Sequence, residues 1–159
     1  MAEDRPVRVG VLIGSPSDRA LADKIVEALT GLGIGSEVKV LSAHRTPDRV
    51  VAYVQAAEGR GIRVLIACAG LAAHLAGVVA AHSLLPVIGV PVAGGTLGGL
   101  DALLATVQMP PGIPVATVAI DGGRNAAILA ARILALQDPA VRAALEAALA
   151  ADRLRYDQP

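Results

Sequence analysis

The chain of 159 residues has no phenylalanine and no tryptophan, and its only tyrosines are Tyr53 and Tyr156. A flavin site of the kind that stacks aromatic rings on its cofactor therefore has almost nothing to be built from. Cysteine is nearly absent as well: Cys68 alone rules out an internal disulfide, and at the end of an apolar run it reads as packing rather than as a nucleophile. Net charge is zero, with fourteen basic and fourteen acidic residues scattered along the chain. That leaves no electrostatic footprint for nucleic acid or for an anionic membrane, although small anions remain possible ligands. No apolar run reaches the roughly 20 residues of a membrane span, because Gly, Pro, Arg or His interrupts each one. Residues 1–8 lack the apolar core of a signal peptide, so the chain is expected to be cytoplasmic.

Motifs that would specify common cofactors are missing too. The first glycine-containing turn has neither the Gly-x-Gly-x-x-Gly spacing of a dinucleotide site nor the Gly-Lys-Ser/Thr ending of a triphosphate loop. The clustered aspartates of a phospho-receiver are not there, since the third apolar run ends in Cys68-Ala69-Gly70. His44, His74 and His82 lack close ligand spacing and acidic companions, so no metal is expected. His82 reads as a structural or interface residue.

What the chain has in quantity is small apolar side chains: 54% of residues are hydrophobic, largely through alanine, and mean hydropathy is +0.59. Apolar runs alternate with helical stretches, the pattern of a parallel sheet covered on both faces, and the length suits one domain over 1–159. Strands are predicted at Val7 to Ile13, Glu37 to Leu41, Arg63 to Ala69, Val87 to Val90 and Val115 to Ile120. Helices are predicted at Ser17 to Leu32, Pro47 to Gly59, Ala72 to Ser83, Asp101 to Val107, Asn125 to Leu136 and Pro139 to Leu154. A glycine-rich loop, residues 93–99, follows the fourth strand. There is no internal repeat or low-complexity tract.

Right-handed crossovers with strand order 2-1-3-4-5 bring the carboxyl ends of the first three strands together, where open α/β sheets bind ligands. Three polar turns fall there. Gly14-Ser15-Pro16-Ser17-Asp18 offers backbone N–H groups and two hydroxyls to a phosphate, or simply caps a helix. Ser42-Ala43-His44-Arg45 precedes a well-marked helix start, with Thr46 as cap, Pro47 at the first position and Asp48 at the positive end of the dipole. Its imidazole can move protons near neutral pH, and its guanidinium can hold a phosphate or carboxylate through two parallel bonds; the plain alternative is a solvated turn. The third turn is Ala69-Gly70-Leu71-Ala72-Ala73-His74.

These turns, together with Thr46-Pro47, Leu75, Gly89-Val90-Pro91-Val92 and the segment 107–115 (Val-Gln-Met-Pro-Pro-Gly-Ile-Pro-Val), resemble the N5-carboxyaminoimidazole ribonucleotide mutases, the catalytic subunits of the phosphoribosylaminoimidazole carboxylase of purine biosynthesis. The likeness runs from Val7 to Leu136. It implies a three-layer flavodoxin-like domain, a doubly wound parallel α/β sheet with C-terminal helices, assembled as a homo-octamer. It also implies transfer of a carboxylate from an exocyclic nitrogen to ring carbon C4 of a ribonucleotide substrate, without ATP, metal or organic cofactor. On that likeness His44 is the general acid and base. Ser15, Ser17 and Arg45 would take the phosphate, Asp18 the ribose hydroxyls, and Ser42 and Ala43 the base. Gly70, Ala72, Ala73, His74 and Leu75 would wall the carbon dioxide and carboxylate region.

The chain departs from the family pattern at Leu71, where a second glycine is expected, at Ala76, where a proline is frequent, and at Ala93-Gly94-Gly95, where a serine often follows the strand end. Leu71 is the most consequential, because a branched side chain beside a carboxylate-binding backbone could narrow the pocket. Two alternatives remain at this point: a carboxylase that uses free carbon dioxide, and a non-catalytic domain that binds phosphorylated ribosides. The carboxylase pattern has lysine after the histidine and Arg-Ser-Asn in place of Ala72-Ala73-His74, and neither occurs here. The final helices, rich in alanine at 126–131 and 143–150, carry more small apolar surface than one domain readily hides, which predicts a homo-oligomer.

Overall fold

The computed structural model describes residues 5–157, so the first half of the N-terminal stretch read for a signal peptide lies outside the described residues. Five parallel strands form one sheet in the order 2-1-3-4-5: β1 Val7–Ile13, β2 Gly35–Val40, β3 Val64–Gly70, β4 Val87–Val92 and β5 Ala116–Thr117. Six α-helices connect and follow them: α1 Arg19–Gly31, α2 Pro47–Ala57, α3 Leu75–Ala81, α4 Leu100–Val107, α5 Gly123–Leu134 and α6 Pro139–Leu154. Strand order and direction agree with the doubly wound arrangement expected from the alternating runs.

The period-two alternation of side chains splits the interior into two layers. Val9, Val11 and Ile13 of β1 join Val64, Ile66 and Cys68 of β3 against Ala22, Ile25 and Leu29 of α1 and the alanines of α5. Leu12, Leu65 and Ala67 face the other way, onto Val50 and Val54 of α2 and Leu75 and Val79 of α3. Alanine in α5 works inside the chain: Ala126, Ala127, Ala130 and Ala131 are all fully buried. A Cβ placed on Gly123 would come within 2.8 Å of Leu21 Cδ1, so the start of α5 lies directly on α1. The expectation that these alanines serve contact between subunits is thus corrected for α5. In α6, Val141 and Leu145 are buried and Ala143, Ala147 and Ala148 face outward.

Elements ended where local chemistry changed. β5 has two residues rather than six because Pro91 of β4 has no N–H to give on the side facing it. The chain still runs alongside β4, with Val118 N donating to Gly89 O at 3.0 Å and Asp121 N to Pro91 O at 2.8 Å. The first helix begins as a short 3-10 turn, Pro16–Asp18, before α1. β2 starts two residues earlier than predicted, where a Cβ on Gly35 would meet Pro6 O at 2.4 Å and only glycine fits. The third helix begins at Leu75 instead of Ala72: Leu71 takes a left-handed backbone, φ 53°, and tight bonds from Ala73 N to Leu71 O and His74 N to Ala72 O hold 71–74 as a turn.

Candidate active site

A cavity of about 280 Å³ opens where the carboxyl ends of β1, β2, β3 and β4 converge. It is walled by the three polar turns and by a fourth, Val92-Ala93-Gly94-Gly95.

The first turn is folded by its own hydroxyls. Ser15 Oγ accepts from Ser17 N at 3.3 Å, which caps the 3-10 turn, and lies 2.8 Å from Ser17 Oγ. Ser17 Oγ is also 3.2 Å from Asp18 Oδ1. Partial burial raises the Asp18 carboxyl above its usual range, and the nearby Asp121 charge adds to this, against opposing hydrogen bonds from Ser17 and Ser15. In its ionised form the carboxylate only accepts, so it suits hydroxyl donors.

The second turn is stapled differently from the way its sequence suggests. Thr46 occupies the cap position of α2, yet its hydroxyl makes no cap bond. It turns back to Ser42, donating to Ser42 O at 3.2 Å and accepting from Ser42 N at 3.1 Å, while Ser42 Oγ accepts from Arg45 N at 3.2 Å. The expected Thr46 cap is therefore replaced by a closed Ser42–Thr46 loop that fixes His44 and Arg45 on its outer side. Pro47 at the first helical position and Asp48 in the first turn are as predicted. The Arg45 guanidinium has no hydrogen bond or ion pair among the described residues, which leaves a cation facing the cavity.

The third turn brings a second imidazole to the first. His44 Nε2 and His74 Nδ1 are 2.8 Å apart, with the rings edge to face and their centroids 4.8 Å apart. One hydrogen lies on that line, so one ring donates and the other accepts. Both side chains are exposed to the cavity.

Eleven of the twelve residues singled out from sequence line this cavity: Ser15, Ser17, Asp18, Ser42, Ala43, His44, Arg45, Gly70, Ala72, His74 and Leu75. Ala73 does not; it is 1% exposed and faces the interior, because the tight turn at 71–74 points it away. Sequence reasoning missed the contact between the histidines and the fourth wall. The signal for that wall was the glycine-rich loop after β4, which names no ligand without the fold. Asp121 anchors that loop by accepting from Ala93 N at 2.9 Å, in a left-handed backbone with φ 56°. Cys68 is fully buried beneath the site, and burial pushes its thiol up to about 12, so it stays protonated and unreactive. His82 lies exposed at the C-terminal end of α3, outside the cavity. No group of three metal-ligating side chains occurs among the described residues.

The AIR carboxylase family model matches residues 8–153, nearly the whole chain. This chain belongs to the AIR carboxylase family. It is 52% identical over 139 residues to the N5-carboxyaminoimidazole ribonucleotide mutase of Pyrococcus abyssi, covering 87% of this chain and 80% of that one. It is 53% identical over 146 residues to the enzyme of the same name from Mycobacterium tuberculosis, covering 92% and 83%. Among solved structures it is similar to Treponema denticola PurE, with a TM-score of 0.86 and 30% identity over 93% of this chain and 92% of that one. The four walls of the cavity all lie within the matched region.

Proposed function

We propose that this family member is an N5-carboxyaminoimidazole ribonucleotide mutase of purine biosynthesis, with His44 as its acid and base. The observation that carries the reading is the pair His44 and His74, 2.8 Å apart in a cavity that also presents the hydroxyls of Ser15 and Ser17 and the Arg45 guanidinium, which has no partner among the described residues. Relatives with that name at more than half identity support the reaction.

The substrate carries a phosphate, a ribose diol and a carbamate. Ser15, Ser17 and Arg45 take the phosphate, through hydroxyls, turn amides and a two-pronged cation. Asp18 takes the ribose hydroxyls, and Ser42 and Ala43 border the base. Gly70, Ala72, His74 and Leu75 line the space beside ring carbon C4. The reaction balances in one proton. The C–N bond of the carbamate breaks, the exocyclic nitrogen gains a proton and neutral carbon dioxide is released beside the ring. Carbon C4 then attacks that carbon dioxide, and the proton on C4 leaves as the new carboxylate forms. His44 gives the first proton and takes the second, and His74 is the neighbour to which it can pass a proton without crossing bulk water. Such acid–base work contributes about 10² to 10⁴ in rate, and retention of carbon dioxide adds a proximity effect. No energy source or resident cofactor enters this balance.

Leu97, Leu100, Leu104 and Val107, at or beside α4, are each about half exposed, and Leu84 is wholly so. A surface this apolar supports a homo-oligomer, with eight copies suggested by the family resemblance. No helix among the described residues is long and apolar enough to cross a membrane, which is consistent with work in the cytoplasm. The deciding experiment incubates purified protein with N5-carboxyaminoimidazole ribonucleotide, without ATP, and follows the C4-carboxylated product. Absence of product from folded protein would overturn the reading.

A further inference from the structure

Leu71 is one of two non-glycine residues with a left-handed backbone among the described residues, φ 53°. A leucine there crowds its own Cβ against the carbonyl that follows, a cost that glycine escapes. Burial does not offset it, since the side chain is 54% exposed. The isobutyl group instead reaches across the cavity mouth. A Cβ built on Gly95 would meet Leu71 Cδ2 at 2.6 Å, so Leu71 lies directly on the Gly95 backbone, itself left-handed at φ 62°. Both residues line the cavity. The Gly94–Gly95 turn is thereby held from two sides, through Ala93 N on Asp121 and through Leu71 above.

We propose that Leu71 is a specificity-determining cover, which bridges the third and fourth turns and confines the carbon dioxide released in the cleft. This rests on the mutase reading. An aliphatic side chain offers no hydrogen bond to a carboxylate, so its contribution is shape and exclusion of water. Those are what a neutral, hydratable intermediate needs: a closed apolar wall delays both its escape and the entry of solution carbon dioxide. The departure from the family glycine thus tightens retention instead of blocking the site.

The test uses the intact protein and two variants, Leu71→Gly and Leu71→Ala. The carbamate substrate is converted in the presence of labelled bicarbonate, and label in the C4 carboxylate is compared with total product. Wild type should incorporate little. Both variants should incorporate severalfold more, with kcat/KM reduced and inhibition by ribose 5-phosphate unchanged, since the phosphate cradle is untouched. Leu71→Gly, relieved of the left-handed penalty, should melt no lower than Leu71→Ala. Active variants with wild-type label incorporation overturn the cover and leave the mutase reading standing. A wild-type protein that makes no C4-carboxylated product overturns both.

Discussion

Two clusters of ionisable side chains in this molecule are assembled from similar materials and end in opposite states. On β2, α2 and the 3-10 turn after α2, Glu37 accepts from Tyr53 at 2.9 Å and from Arg60, with Lys39 Nζ 3.3 Å away, and Arg60 also lies over the Tyr53 ring. Every member has a partner within the cluster. Burial alone would push the Glu37 carboxyl up, but the bonds from Arg60, Tyr53 and Lys39 outweigh it and hold it below its usual value. At the carboxyl end of the sheet the balance is reversed. Asp18 is held above its usual value, and among the described residues the Arg45 guanidinium has no partner and the two imidazoles have only each other. The first cluster is satisfied and therefore structural; the second keeps unspent donors and acceptors facing a cavity, which is the physical mark of a binding site.

The comparison breaks most visibly at His44. His44→Ala removes the proposed proton carrier from an exposed position, so the protein should keep its fold by circular dichroism while activity falls at least about 10²-fold. Near-normal turnover would end the assignment. His74 acts on the same hydrogen, and the conservative swap separates chemistry from bulk. His74→Phe should lower kcat by about 10-fold with little change in KM. His74→Asn, which keeps a polar atom close to the position of Nδ1, should recover part of that loss. Equal rates for the two variants would reduce His74 to a wall.

How far the sequence announced these two clusters depends on range. β1 and α6 have the boundaries predicted for them, because Gly14-Ser15-Pro16 stops the first apolar run and Asp138-Pro139 opens the last helix, its carboxylate accepting from Ala140 N and Val141 N. The convergence of three turns followed from strand order, and so the cleft was legible. What was not legible lay in long-range geometry or backbone conformation. The histidines are 30 residues apart, and nothing local brings Nε2 to Nδ1. Ala73 looked like its neighbours Ala72 and His74 until the left-handed Leu71 rotated it inward. Glycines 94 and 95 have no side chain to advertise a role, and the partners of Tyr53 sit on other elements.

Asp18 gives a smaller and two-sided effect. Asp18→Asn should raise KM severalfold, through a weaker ribose contact, and leave kcat almost unchanged. The raised carboxyl means that the folded state binds its proton more tightly than the unfolded chain does. Stability contributed by this group is therefore greatest below the unfolded pKa and declines as pH rises through the folded one, so at neutral pH the ionised form is a burden. The Asn variant should melt slightly higher than wild type at pH 7, and the difference should fade at low pH. A lower melting temperature at pH 7 would place Asp18 with Glu37 as a stabilising group.

The smallest effect belongs to the closed cluster. Tyr53→Phe removes the hydroxyl that donates to Glu37 Oε1 and leaves Arg60 and Lys39 in place, so the loss should be about 1 kcal/mol, the net worth of one such bond. Glu37 has its pKa depressed in the folded state, and its stabilisation is present above the ordinary glutamate value and disappears as pH falls through the folded value. With the Tyr53 bond gone that depression is smaller. The gap between wild type and variant in denaturant midpoint should therefore be largest at neutral pH and narrow on acidification. Mutase activity at 25 °C should not change, because no member of this cluster lines the cleft. A variant with full stability but impaired turnover would mean that the two clusters are coupled through β1, where the Tyr53 hydroxyl lies against Gly10, two residues before Leu12 and four before the first turn of the site.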